Sequence, residues 1–223
     1  MGRKKQIIIL AAVIIAAAII LAGFRIIIFN QSLYKEEFYK YKIYKDFNSD
    51  DIVDKNLYLL ISYLRGKDPA LETDFFNERE KLHLADVKSL IKNLRLFLYI
   101  LLGFIILIFL YLSYNGEYNT LLKSLISGSV LAISIIILLY LLSLTDFGSV
   151  FMYFHLISFK NNYWLLNPET DNLIKMFPEE IFFDLAVYAL MSSLILSFII
   201  LFTSILLYYS VFYRKFNIKK FFQ

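Results

Sequence analysis

The 223-residue chain contains no cysteine. It therefore has no disulfide, no thiolate nucleophile and no lipid-attachment site of its own. Charge is missing just as conspicuously from three long stretches: no Asp, Glu, Lys, Arg or His lies between Leu96 and Tyr114, Ser124 and Leu144, or Leu185 and Tyr213. That absence argues against an ion or proton path through a membrane core, which needs ionisable groups at depth. There is no G-x-S-x-G nucleophile elbow and no H-E-x-x-H metal motif. Histidine is limited to two residues, His83 and His155.

What is present is apolar: hydrophobic residues make up 59% of the chain and aromatics 18%, above the usual balance of a soluble domain. Four stretches, 6–29, 96–114, 121–144 and 185–213, are long enough to cross about 30 Å of hydrocarbon as helix. The first contains only Arg25, near enough to its end to snorkel. A basic n-region with the apolar run Ile7 to Ala22 also fits a cleaved signal peptide. The run is long for that and resumes as Ile26-Ile27-Ile28-Phe29, so it reads as an uncleaved anchor.

The expected fold is all-α: one integral membrane domain over 1–223 with four transmembrane helices. Arg3, Lys4 and Lys5 precede the first span, and Arg214, Lys215, Lys219 and Lys220 follow the last. Positive charge marks the cytoplasmic side, which assigns 1–5, 115–120 and 214–223 to the cytoplasm. Residues 30–95 and 145–184 then form two extracytoplasmic loop regions, a small cap on the membrane surface. The lysines of the first loop count little because the loop is long. Small residues four apart, Ala12/Ala16, Ala18/Ala22 and Ser124/Gly128, suit close helix packing.

Within the first loop, Tyr39-Lys40-Tyr41-Lys42-Ile43 alternates on a period of two, a short strand signal. Asn48-Ser49-Asp50-Asp51 opens a helix with Val53, Leu57, Leu60, Ile61 and Leu64 on one face, closed by Gly66 and Pro69. Asn77 caps a second helix running into span two, on which His83, Val87, Leu90 and Leu94 share a face. Asp86 sits one turn beyond His83, placed to orient or charge it. In the second loop, Asp146 caps a short helix with Phe151, Phe154, His155 and Ser158 along one side. Lys160-Asn161-Asn162 turns into Tyr163-Trp164, aromatics suited to the headgroup region. Asn167-Pro168 reads as the start of a helix through Lys175, and Phe177-Pro178-Glu179-Glu180 restarts the chain into span four.

Two histidines on one membrane face suggest proton transfer, since neutral imidazole is suited to that near pH 7. The residues alone leave two other classes open. One is a metal-dependent membrane hydrolase using the histidines with Asp86 or Asp171; the other is a non-enzymatic scaffold whose loops bind a partner.

The segment Phe154 to Asp171 (FHLISFKNNYWLLNPETD), continuing to Met176-Phe177-Pro178-Glu179, resembles the second outer loop of bacterial lipoprotein intramolecular transacylases. The segment Asn77 to Lys88 (NEREKLHLADVK) is similar to that family's histidine-bearing stretch before span two. The four-span layout and length match as well. One departure is Asn162, where the family pattern has Asp. The resemblance implies transfer of the sn-2 acyl chain of a diacylglyceryl-cysteine lipoprotein to its α-amino group, giving the N-acyl lyso form at the outer face of the bacterial plasma membrane. His83 and His155 carry over as catalytic residues. The chemistry needs one as base and the other as hydrogen-bond donor to the oxyanion; His83 is taken as base and His155 as donor, and the sequence leaves the reverse assignment open. Asp86, Asn161, Trp164 and Asp171 are the candidates for binding substrate or supporting the histidines. The implied partners are the lipoprotein and membrane lipid. No cofactor, metal or nucleic acid is implied.

Overall fold

Among the described residues, eight α-helices follow one another as α1 Arg3–Ile28, α2 Gln31–Lys40, α3 Asp50–Arg65, α4 Glu78–Tyr114, α5 Tyr118–Thr145, α6 Phe147–Ser158, α7 Asn172–Met176 and α8 Glu179–Phe221, with a 3₁₀ turn over Ile43–Asp46. The computed structural model describes residues 2–47 and 49–221, with side chains up to Ser210. Asn48 and the side chains of Arg214, Lys215, Lys219 and Lys220 lie outside this description. The described residues contain no strand, and α1, α4, α5 and α8 are long and apolar enough to cross a membrane.

The chain forms two compact units, one drawn from Met1–Phe24, Leu96–Tyr140 and Ala189–Gln223, the other from Arg25–Arg95 and Leu141–Tyr188. The first holds the apolar helices. Ala11, Ile15, Ala16 and Ile19 of α1 pack with Ala132 and Ile136 of α5 and Leu190 of α8, while Ala18 meets Leu98 and Leu101 of α4. Small residues allow this closeness. A Cβ built on Gly23 would stand 2.7 Å from the Ala189 carbonyl oxygen, and one on Gly128 would stand 2.7 Å from the Ile15 side chain. Three buried serines are satisfied one turn back: Ser124 donates to the Thr120 carbonyl, Ser193 to Ala189 and Ser197 to Ser193. Large apolar side chains such as Phe104, Leu107 and Phe202 are exposed. A surface of that kind suits hydrocarbon, where close packing rather than water exclusion holds helices together. Arg3 bonds the Tyr111 hydroxyl at 2.5 Å, and Arg3 and Lys4 both approach Glu117. The start of α1 and the α4–α5 turn therefore meet.

The second unit has a water-soluble style of core in which Phe38, Val53, Leu57, Phe76, Met176 and Ile181 are fully buried. The apolar face expected on α3 is the buried one, Ser49 caps its start, and Gly66 ends it at φ +83°. The strand expected over Tyr39–Ile43 is instead the end of α2 and a turn. Tyr34, Glu37 and Phe38 are buried at helical spacing, and the described residues offer no strand to pair a two-residue alternation. Asp184 accepts from Lys40 and from Tyr41 at 2.6 Å, and Tyr188 donates to Glu37 at 3.0 Å. These bonds tie α2 to the start of α8. The helix expected from Asn167 to Lys175 is also corrected. Residues 167–170 form turns, and α7 is only Asn172–Met176. The Asp171 carboxylate takes the Asn167 N–H at 2.8 Å, and that side-chain bond favours a turn over a helical start.

Candidate active site

The site lies within the second unit, where two helix starts place its histidines. At the first, Asn77 accepts from the Glu80 N–H at 3.0 Å while Glu80 accepts from the Asn77 N–H at 2.6 Å. This reciprocal capping box fixes the entry to α4, one turn before His83. The second oxygen of Glu80 accepts from the Leu173 N–H of α7 at 2.5 Å. Asn77 also donates to Asp171 at 2.9 Å, Asn172 to the Phe75 carbonyl at 2.6 Å, and Arg79 to the Asn162 carbonyl at 2.7 Å. Chain segments far apart in sequence are thus sewn together. Asp146 caps α6 by accepting from Ser149 N at 3.0 Å, as expected, and α6 carries His155.

Glu80 is only 1% exposed. Burial raises its pKa, against the lowering effect of the Leu173 and Asn77 N–H groups. Glu80→Ala leaves two backbone donors without their acceptor. The expected cost is about 3 kcal/mol, read as a lower melting temperature in detergent, with Glu80→Gln losing less because one acceptor oxygen remains.

The two imidazoles come together, with ring centroids 5.9 Å apart and planes inclined by 35°. His83 is 7% and His155 8% exposed. Aromatic rings surround the pair: Phe151 at 4.4 Å, Trp164 at 5.0 Å and Phe154 at 5.4 Å from His155, and Phe159 at 5.1 Å from His83. Burial, helped by the nearby His155, pushes the His83 pKa down to about 4 against the opposing pull of Asp86. Burial also lowers the pKa of His155, but the Phe151 carbonyl opposes it. Both rings are therefore neutral at pH 7.

Their hydrogen bonds differ. His155 Nδ1 lies 2.7 Å from the Phe151 carbonyl oxygen. A carbonyl only accepts, so Nδ1 carries the proton and Nε2 keeps its lone pair. His83 Nδ1 is buried without a hydrogen-bond partner.

Of the other candidates, Trp164 lies nearly parallel to His155, 31° off. Asn161 donates to Asp86 at 2.8 Å and accepts from Tyr163 N at 3.1 Å. It fastens the second loop to α4 three residues beyond His83, and Asp86 influences that ring through charge. Asp171 belongs to a separate clasp with Asn77, Asn167 and Thr170. Those hydrogen bonds overcome burial to keep its pKa low. Sequence reasoning missed Glu80 and Phe159. The spacing Asn77-Glu78-Arg79-Glu80 is a legible capping-box signal, whereas nothing local marks Phe159.

Comparison with known proteins identifies the family. The family model described as lipoprotein intramolecular transacylase Lit matches residues 8–183. The solved structure of the membrane-integral lipoprotein intramolecular transacylase Lit from Bacillus cereus is similar at 29% identity and a TM-score of 0.76, covering 99% of this chain and 98% of that one. Forms of that enzyme with a histidine replaced by arginine or by alanine match at 27% and 28% identity. Both have a TM-score of 0.72 and cover 99% of this chain, and 95% and 96% of theirs. No match is found among curated proteins. A four-span helical protein with a buried histidine pair, matched by the family model over most of its length, belongs to the lipoprotein intramolecular transacylase family Lit and is an acyltransferase of the membrane.

Proposed function

We propose that the enzyme moves the sn-2 acyl chain of a diacylglyceryl-cysteine lipoprotein to that cysteine's α-amino group, with His155 as base and His83 as oxyanion donor. The observation that carries the reading is the anchoring of His155 Nδ1 on the Phe151 carbonyl, beside a second buried imidazole. The substrate brings its own nucleophile, so a chain without cysteine or a serine elbow suffices. The amine nitrogen attacks the ester carbonyl, and His155 Nε2 takes its proton. Collapse then breaks the ester C–O bond, and the same proton passes to the glyceryl oxygen. One N–C bond replaces one O–C bond, and composition is unchanged. A neutral His83 presents an N–H to the oxyanion.

The sequence reading put the base at His83 and left the reverse open. The hydrogen bonding favours the reverse assignment. The Phe151 carbonyl supports an imidazolium at His155, while burial and the neighbouring His155 push the His83 pKa down to about 4 and leave that ring neutral. Trp164, its ring centroid 5.0 Å from that of His155 and tilted by 31°, favours the imidazolium through its π system. Asn161 and Asp86 hold the two loops in register, and Asp171 does so through Asn77. Fixing amine and ester together contributes up to about 7–11 kcal/mol.

The membrane assignment belongs to the same proposal: both termini cytoplasmic, and the site at the extracytoplasmic face. The basic residues Arg3, Lys4 and Lys5 support it. The test is mass spectrometry of the N-terminal lipopeptide of a model lipoprotein, co-expressed in a host without its own N-acylation. Since the product is an isomer, fragmentation must locate the chain. Acyl on the cysteine amine supports the proposal; an unchanged diacylglyceryl form with folded enzyme present overturns it.

Stability should also depend on pH. The folded pKa of His83, about 4, lies below its ordinary value of 6.5, so the unfolded state binds more protons between these values. The His83 contribution is complete above pH 6.5 and is lost as pH falls towards 4. About 2 kcal/mol is expected to be lost by pH ~5. Melting curves across this range should show a flatter dependence for His83→Ala.

A further inference from the structure

α6 differs from α2, α3 and the starts of α4 and α8 in what it exposes. α2 exposes Glu36 and Lys40, α3 exposes Asp50, Asp51 and Lys55, and the starts of α4 and α8 expose Glu78, Arg79, Glu179 and Glu180. Between Asp146 and Lys160 there is no carboxylate, lysine or arginine. The exposed side of α6 is Val150, Met152, Tyr153, Phe154, Leu156 and Ile157, with Ile157 86% exposed. The opposite side carries buried His155.

A helix apolar on its outer side, with its only charges at its two ends, resembles neither a solvated surface helix nor a span, since twelve residues are too few to cross hydrocarbon. Its chain context supplies the occupant. α6 follows α5, a helix long enough to span, after the single residue Asp146. The last turns of α5 expose Leu141, Leu142 and Leu144 within the same unit. An outward apolar surface therefore continues from the end of that span into α6. Beyond α6, Lys160, Tyr163 and Leu165 are exposed, the mixture of cation and aromatic that settles at the headgroup level.

We infer that α6 is an in-plane membrane helix whose Met152–Ile157 side is seated in the outer-leaflet acyl boundary, with lipid as the occupant of that face. Such helices lie with their apolar side ~5–10 Å into the headgroup and acyl boundary. His155, on the inward side of the same helix, is thereby held at the level of lipid esters rather than in bulk water. This last consequence rests on the transacylase reading; the seating of α6 does not.

The absence of cysteine makes the test direct, since any introduced cysteine is unique. Ile157→Cys and, separately, Met152→Cys are labelled with a nitroxide and compared with Tyr58→Cys on the exposed side of α3. The full chain is reconstituted in phosphatidylethanolamine–phosphatidylglycerol vesicles without lipoprotein. Collision with oxygen, which concentrates in hydrocarbon, is measured against collision with a water-soluble nickel chelate. The expected result is oxygen-dominated relaxation at 157 and 152, at a depth of ~5–10 Å, and nickel-dominated relaxation at 58. Nickel access at 157 and 152 equal to that at 58 overturns the inference. Spin–spin broadening at these positions that vanishes on dilution with unlabelled chain overturns it too, because a second copy would then cover the face. Depth is read without turnover, so failure here and failure of acyl transfer are separately visible.

Discussion

His155→Ala is expected to lower acyl transfer by ~10²–10⁴-fold, the usual worth of a positioned base, without loss of folded enzyme. The ring is buried and anchored to Phe151, so a glutamine cannot replace it as a proton acceptor, and His155→Gln should be as inactive as the alanine variant. His83→Ala should cost ~10²–10³-fold, the scale of one lost oxyanion donor. His83→Gln should recover part of that loss, because an amide N–H can still donate. Fragmentation mass spectrometry of the lipopeptide over a time course measures all four. Recovery at position 155 but not at 83 would restore the role assignment read from sequence. Full activity in all four would remove the histidines from the reaction.

Gly23→Val is expected to be the most damaging substitution in the apolar unit. Even the first added carbon would lie 1.9 Å from Ser193 Oγ, 2.7 Å from the Ala189 carbonyl oxygen and 2.8 Å from the Ser193 nitrogen. The hydroxyl can rotate, but backbone atoms cannot, so α1 and α8 must separate. Separation opens gaps along the rest of the contact, where dispersion supplies the attraction. Overpacking alone costs about 1–3 kcal/mol; the valine should exceed that range and reduce the yield of monodisperse protein in detergent. Ser193→Ala removes only the nearest atom and should rescue little. Gly103→Ala is the control. Nothing lies within 4 Å of a Cβ there, and replacing a helical glycine by alanine should stabilise by up to about 1 kcal/mol. Equal melting temperatures for Gly23→Val and wild type would refute the close approach of the two helices.

Much of the architecture could be read from local chemistry. Charge-free runs of span length mark α1, α4, α5 and α8, because an ionised side chain in hydrocarbon is costly wherever it occurs in sequence. Asn77, Asp146 and Gly66 mark helix ends because each satisfies backbone groups within a few residues of itself. The resemblance of two short segments to a known family was also visible in the residues. Misreadings arose where a local pattern competed with distant contacts. Tyr39 to Ile43 alternates like a strand, but the burial of Tyr34, Glu37 and Phe38 made the preceding residues helical and left no strand to pair.

By itself, then, the sequence determined an all-helical, four-span protein with few proton-transferring side chains and no nucleophilic cysteine, because hydropathy, capping and composition act locally or additively. Only the tertiary structure decided that His83 and His155, 72 residues apart in sequence, share one aromatic enclosure, that Glu80 reaches the N–H of Leu173, and that Asn161 meets Asp86. It also decided which nitrogen of His155 keeps its lone pair. Each of these depends on one partner among many, chosen when distant segments bury together and most buried donors find acceptors.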